Sequence, residues 1–505
     1  MFDLSNLISF FILGVIGWFT YKVYIFPYYV SPLRKIPGPP SENLFYGNVK
    51  TLCVEESGEP HIRWVKKYGN VTKYYGLFNR PIVIVADTKI IQEIISNRVY
   101  DFVKPTHLMA SLIAVLGKGL VFVEGDTHKR QRKMMNPAFS HNNIKDMVPV
   151  FVRVALSLKG IIEDKIDERE SKLNLTPYIS KATLDIIGLV GFNYGFNSLK
   201  SQNELGEAYD SIMNIPITFM DIVISILSNY IPFVRKIPIA VNRRFNNAIE
   251  VIERVSKKLI EERHHEAKDD NNLNRNDLLS LLININKTLP DEEKMTDDEL
   301  KYQIMTFLAA GHDTTSTATS WALYLLAQHP LEQDLLREEL VKAFPDKSNF
   351  NPTFDEVNSL EFLNCVVKET LRLYPAATSV RRVNIKDEIF GEYLIPKGTE
   401  ISIGVLALHR SPEIWGPTVE NYDPNRWLDP SLTKNVTNFN YLPFLNGPKN
   451  CIGNKVALAE MKVVLSTLVR NFVFRPIEGF SIRKKAFPAA RPDPCLKLDV
   501  SLVES

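Results

Sequence analysis

Apolar and polar positions follow a few distinct rhythms along this chain. Leu4 to Tyr21 is an apolar run interrupted only by Ser5, Asn6, Ser9 and Thr20. At ~1.5 Å per helical residue, a segment of that length is about enough to cross a bilayer core of ~30 Å. A cleaved signal peptide would need a basic start and a small-residue cleavage site, but the only early charge is Asp3 and large residues follow the run. Lys22, Arg34 and Lys35 stand on its C-terminal side, which places the remainder in the cytosol by the positive-inside rule. Trp18, Tyr21, Tyr24, Tyr28 and Tyr29 suit an interfacial belt. Residues 1–26 are therefore expected to be an uncleaved anchor. Pro32, Pro37, Pro39 and Pro40 stiffen the connector that follows, over 27–45, because each proline fixes φ and extends its predecessor. A single large globular domain is expected over 46–505.

Within that domain, Val71–Tyr75 and Ile82–Val85 read as strands flanking a turn at Phe78–Pro81. From about Thr88 the periodicity is mostly helical. Thr296-Asp-Asp-Glu299 is a capping box ahead of an apolar run that lasts to His329-Pro330, predicting a helix of roughly 50 Å. Ala457, Leu458, Met461, Val464, Leu465 and Leu468 recur at helical spacing and predict a helix from Asn454 to about Arg470. Tyr393–Ile403, bent at Pro396-Lys397-Gly398, and Cys495–Leu502 read as strands. The polar stretch Arg263–Asn276 is expected to be an exposed loop in which His264 and His265 are solvated. The fold class expected is mainly α with small β-sheets.

Composition narrows the function. A net charge of +2, with no arginine-rich tract or zinc-finger spacing, is too small to argue for nucleic acid, and no nucleic-acid partner is expected. Four cysteines in 505 residues make no disulfide framework, so a reducing compartment fits. The sequons at Asn70, Asn174, Asn286 and Asn435 would then stay unused.

The candidate chemistry centres on Phe444-Leu-Asn-Gly447-Pro-Lys-Asn-Cys451-Ile-Gly453. One thiol sits on a glycine-flanked turn at a helix N-terminus, where backbone N–H groups and the helix dipole favour thiolate. Gly447 and Gly453 would permit positive φ and close approach to something flat. With no second Cys or His at ligand spacing, one axial bond to a haem iron suits this thiol better than a tetrahedral zinc site. A buried free cysteine is the alternative.

The longer pattern decides between them. Phe-x-x-Gly-x-x-x-Cys-x-Gly resembles the haem-binding signature of the cytochrome P450 family, and the resemblance covers roughly residues 35–500. It implies haem b between a long central helix and the cysteine-loop helix, non-covalent apart from the Cys451–iron bond. Ala309-Ala310-Gly311-His312-Asp313-Thr314-Thr315 resembles the family's oxygen-activation motif, with Thr314 donating to dioxygen, Asp313 linked to a proton supply and a helix opened there by threonine back-bonding. Close helix packing through small residues is the other reading of the same segment. Arg132 and Arg382 match the family's propionate arginines; His128 replaces the usual Trp, and Lys449 replaces an Arg or His, keeping charge but losing the planar fork. Glu369, Arg372 and Arg426 match a trio that holds the fold around the cysteine loop. Ala310 stands where one branch carries a glutamate that esterifies haem, so no such link is expected.

The resemblance implies a monooxygenase inserting one atom of dioxygen into a lipophilic substrate, and Gly-His-Asp-Thr-Thr with Asn-Cys-Ile-Gly is similar to the fatty-acid-hydroxylase branch. Its pocket would draw on Phe102–Leu120, Met305–Ala310, Ala376–Val380 and Ala486–Pro488. No dinucleotide fingerprint is present, so electrons would come from a separate membrane-bound, NADPH-dependent flavoprotein reductase, with cytochrome b5 as a further donor. The expected location is the endoplasmic reticulum membrane. Two alternatives stand: a haem-thiolate isomerase or dehydratase of peroxides, and a non-enzymatic haem sensor or electron-transfer protein.

Overall fold

The computed structural model describes residues 4–106, 109–201, 203–213, 224, 227–228, 231–266, 277–346, 349–486 and 489–503. Its contacts form two compact units: Met1–Pro105 with Thr378–Ile414 and Val436–Lys449, and Thr106–Ala377 with Trp415–Asn435 and Asn450–Ser505.

The first unit opens on the α-helix Leu4–Thr20, whose Phe10 and Phe11 are exposed. The helical backbone continues as a π-helix, Tyr21–Val30, with Pro27 inside it, so helix extends past the apolar run into the expected connector. Ile8–Val30 is long and apolar enough to cross a membrane. A five-stranded sheet follows in the order Val71–Tyr75, Pro81–Val85, Glu400–Ile403, Val380–Asn384, Phe102–Val103. Pro81–Val85 and Glu400–Ile403 pair in parallel, with Val83 opposite Ile401. Both strands are buried along nearly their whole length, but only Pro81–Val85 reads as an apolar run; Glu400–Ile403 alternates polar with apolar residues and buries both kinds. Val83, Val85, Ile91, Ile95, Phe102, Ile401 and Ile403 form the core under this sheet. The single bent strand expected over Tyr393–Ile403 is two strands instead. Tyr393–Ile395 pairs with Glu388–Phe390, and the chain turns at Pro396–Gly398 before Glu400 enters the sheet.

The second unit is helical. Its longest element, the central helix Asp297–Gln328, spans 32 residues, about 48 Å at ~1.5 Å per residue. The capping box closes as expected: the Glu299 N–H donates to the Thr296 hydroxyl at 3.2 Å, and the Thr296 N–H donates to Glu299 at 3.0 Å. The central helix packs against Thr176–Phe192, and the cysteine helix Asn454–Asn471 packs against His141–Asp167 and the central helix. Met461, Val464, Leu465 and Leu468 are buried, whereas Ala457 and Leu458, nearest the cysteine turn, are only half-buried. Lys497–Leu502 lies between Lys172–Asn174 and Phe472–Arg475, and Arg483–Ala486 pairs with Ala490–Asp493. One expectation fails here. Arg263–Glu266 is not loop but the last turn of the helix Ala240–Glu266, and Arg263 is buried with its guanidinium donating to the Phe192 carbonyl. Residues 267–276, and the His264 and His265 side chains, lie outside the described residues.

Candidate active site

The second unit carries most of the candidate chemistry. The central helix stays α-helical through Ala309–Thr315, so no backbone break opens there, contrary to expectation. The Thr314 hydroxyl does donate one turn back, to the Ala310 carbonyl at 2.8 Å. Thr314 is exposed while Asp313 and Thr315 on either side are buried, so its side chain faces open space from the middle of an otherwise covered helix. Gly311 serves a different purpose: a Cβ there would come within 3.0 Å of Ile187, so glycine permits the close packing of the two helices. His312 is buried, with Nδ1 3.0 Å from the Leu308 carbonyl oxygen and its ring 5.3 Å from that of Tyr209.

Asp313 is buried and ion-paired. The Arg491 guanidinium donates to its Oδ1 at 2.7 Å, and its Oδ2 is buried with no hydrogen-bond partner among the described residues. Arg491 comes from the hairpin strand Ala490–Asp493, whose position is set next door. The Ala490 N–H donates to the Ala376 carbonyl at 2.8 Å, and the Ala490 carbonyl accepts from the buried Trp321 indole at 2.6 Å. Nothing local in the sequence points to this pairing, since the partners are 178 residues apart.

Cys451 lies two residues before the helix N-cap, Gly453. Its side chain keeps open surface, yet protein surrounds it on its other sides. That burial pushes the thiol up, against the Gly453 N–H and the Arg132 guanidinium, which pull it down. The helix end thus pulls toward thiolate as expected, and desolvation of the charged form opposes it. A metal ion deprotonates a coordinating thiol outright, so the raised value does not disqualify it as a ligand. Gly453 adopts φ −87°, not a left-handed conformation, and a Cβ there would meet nothing within 4 Å. The Cys451 side chain is exposed, and a donor set of one thiol fits a single axial bond. Arg132, from the helix Gly125–Met135, donates to the Asn450 carbonyl and to its side-chain oxygen, each at 2.6 Å, bringing positive charge to the turn. His128, on the same helix, is buried.

In the first unit, Gly447 has φ +77°, and a Cβ would lie 2.1 Å from the Ile95 carbonyl oxygen. Glycine is required there by the turn itself. Phe444 is half-buried. The buried Lys449 ammonium donates to the carbonyls of Val99 at 3.1 Å and Phe102 at 3.4 Å, and sits 5.0 Å from the Tyr100 ring centroid. Arg382 is buried in the strand Val380–Asn384 and donates to the Arg381 carbonyl at 2.8 Å.

The structural trio assembles in the second unit. Arg372 donates to both Glu369 oxygens, at 2.9 and 2.8 Å, and Arg426 Nε donates at 3.3 Å. The Trp427 indole and the Asp423 N–H complete the shell at 3.0 and 3.2 Å. All three charged residues are wholly buried. Trp427 adjoins Arg426 in the sequence, which was the only signal for its part in the cluster.

The fold is mainly helical with small sheets, and its cysteine turn offers one thiol as a donor. A family model for cytochrome P450 matches residues 37–497. The chain is 37% identical over 494 residues to cytochrome P450 monooxygenase 205 of Postia placenta, covering 92% of this chain and 90% of that one. It is 31% identical over 469 residues to cytochrome P450 monooxygenase sphH of Aspergillus fumigatus, covering 90% and 85%. Over 489 residues it is 30% identical to cytochrome P450 monooxygenase FSL4 of Gibberella zeae, covering 94% and 88%. The chain belongs to the cytochrome P450 family and has a general monooxygenase role.

Proposed function

We propose that this P450 inserts one atom of dioxygen into a lipophilic substrate, a fatty acid or another lipid. Electrons would come from a separate NADPH-dependent flavoprotein reductase, with cytochrome b5 as a second donor. The observation that carries the reading is the pairing of an open Thr314 hydroxyl with the buried, half-satisfied carboxylate of Asp313 on one helix. Haem b would be held by Cys451 alone among covalent contacts, with Phe444, Gly447 and Gly453 shaping the turn and Arg132, His128, Lys449 and Arg382 serving the propionates. Bound haem supplies the activation of dioxygen, and a thiolate ligand favours O–O cleavage.

The protein's own part is to hold and move protons. The Thr314 hydroxyl has its hydrogen engaged with Ala310 and its oxygen free to accept; rotating away from that carbonyl lets it donate instead. Asp313 keeps one oxygen on Arg491 and the other available to a water. Small-to-medium apolar side chains at Leu112, Ile113 and Leu116 keep part of their surface open, which supports an apolar substrate. Of the other segments assigned to the pocket, Phe487 and Pro488, the Ala486 side chain, His107 and Leu108 lie outside the described residues. Residues 1–26 would anchor the chain in the endoplasmic reticulum membrane through one pass, 27–45 would act as the hinge, and 46–505 would be cytosolic.

Thr314→Ala tests the reading. With reductase and a lipid mixture present, the variant is expected to keep the haem spectrum while product formed per NADPH consumed falls about tenfold or more. Coupling equal to the unsubstituted protein would reject the proton-handling role. Turnover that needs no NADPH would favour the isomerase alternative, and NADPH oxidation without any oxygenated product would favour a sensor or electron carrier.

A further inference from the structure

One polar network in the second unit belongs neither to the proton-handling pair nor to the structural trio. Gln303 is wholly buried in the central helix. Its side-chain oxygen accepts from the Leu120 N–H at 2.9 Å, and its amide nitrogen donates to Gln131 at 2.9 Å. Gln131, also buried, donates on to Glu299 at 3.0 Å, where Arg130 donates at 2.5 Å. One turn along, the Thr306 hydroxyl donates to the Leu116 carbonyl at 2.7 Å. The backbone between these two ties lies directly on the helix. A Cβ on Gly117, where φ is +72°, would meet the Tyr302 Cα at 2.9 Å, and one on Gly119 would meet the Thr306 hydroxyl at 2.3 Å. Only glycine allows that approach.

We infer that Gln303 and Thr306 are positioning residues for substrate discrimination, clasping Leu116–Leu120 to the central helix. The clasp lies on the stripe of the helix that carries the oxygen chemistry, since 303, 306 and 310 recur at i, i+3 and i+7. Ala310 is the residue whose carbonyl holds Thr314. The clasped segment continues the short helix Ala110–Leu116, with its partly open Leu112, Ile113 and Leu116. A wall fixed at one end by one buried and one partly buried hydrogen bond resists giving way, so an apolar chain must fit it. Released, the same wall yields to longer chains. The inference rests on the monooxygenase reading only in taking this wall to face the substrate.

The test uses the full haem-loaded chain and a homologous series of N-alkylimidazoles, butyl to dodecyl, whose ring ligates haem iron whatever the natural substrate. Soret shifts give Kd for each, and hydrogen–deuterium exchange reports the Leu120 amide. Gln303→Leu is expected to speed that exchange about tenfold and to shrink the spread of Kd across the series about threefold or more. Thr306→Val should shrink the spread likewise, while Thr306→Ser, which keeps the hydroxyl, should restore it. If Gln303→Leu does not accumulate, the Thr306 pair decides alone. Faster exchange with an unchanged spread would mean a merely structural clasp and would overturn the inference. So would a spread that survives both Gln303→Leu and Thr306→Val, with haem binding and the monooxygenase reading left standing. If the unsubstituted chain shows no Soret shift with any imidazole, the inference falls together with the haem reading beneath it.

Discussion

Glu369 and Asp313 are both buried carboxylates facing arginine, but their oxygens are treated differently. Glu369 accepts from Arg372 on both oxygens, and from Arg426, Trp427 and Asp423 besides. Asp313 accepts from Arg491 on one oxygen, and the other has no hydrogen-bond partner among the described residues. A carboxylate offers about four lone-pair sites, so the first is saturated and the second is half-used. Saturation suits architecture, because every lone pair is already committed to holding Arg372, Arg426 and the segment from Trp415 to Trp427 in place. A half-used carboxylate suits chemistry, because one oxygen can still take or give a proton. Sequence spacing alone shows an acid near basic residues in the first case and an acid beside threonine in the second; the difference in occupancy is tertiary.

The largest expected effect comes from breaking the saturated cluster. Glu369→Gln leaves Arg372 and Arg426 buried beside a neutral amide, at a cost of about 3–5 kcal/mol by analogy with other broken buried pairs. Little holo-protein should accumulate, and what does should melt well below the unsubstituted chain in a thermal scan. A melting point equal to that of the unsubstituted chain would mean that the trio is not what holds this region. Next comes the half-used acid. Asp313→Asn keeps the shape and removes proton exchange, so product formation should fall about a hundredfold with haem content kept. The melting temperature should drop less than for Glu369→Gln, because one partly exposed arginine rather than two wholly buried ones loses its charged partner. A stability loss as large as that of Glu369→Gln would erase the distinction drawn between the two acids. The smallest effect is expected from Arg491→Gln, which removes the guanidinium but can still donate one hydrogen bond to Asp313. Product per NADPH should fall a few-fold, about 1 kcal/mol, and Arg491→Lys should recover part of it. An Arg491→Gln enzyme coupled as well as the original would show that Asp313 needs no help with orientation.

Much of this organisation is legible along the chain. The capping box at Thr296–Glu299, the strand Val71–Tyr75 and the start of the cysteine helix at Asn454 all fall where local pattern puts them. The resemblance of the cysteine turn to a family signature agrees with the family match over residues 37–497. The misses share a cause. The strand expected to run through Pro396–Gly398 splits because its two halves pair with different partners. Arg263 looked like the start of a polar loop, yet the Phe192 carbonyl, 71 residues earlier, draws it into the protein. At Cys451 the helix end was visible in sequence, while the burial that opposes it was not.

Capping, periodicity, turn residues and the thiol-bearing motif depend on neighbours a few positions apart, so the sequence by itself determined the helices, several strands, the apolar N-terminal segment and the family. Which arginine meets Asp313, which indole completes the shell of Glu369, and which glutamine holds Leu120 depend on groups brought together across up to 183 residues. Only the tertiary structure decided those, because burial and hydrogen-bond occupancy are properties of packed surroundings and leave no periodic trace in the chain.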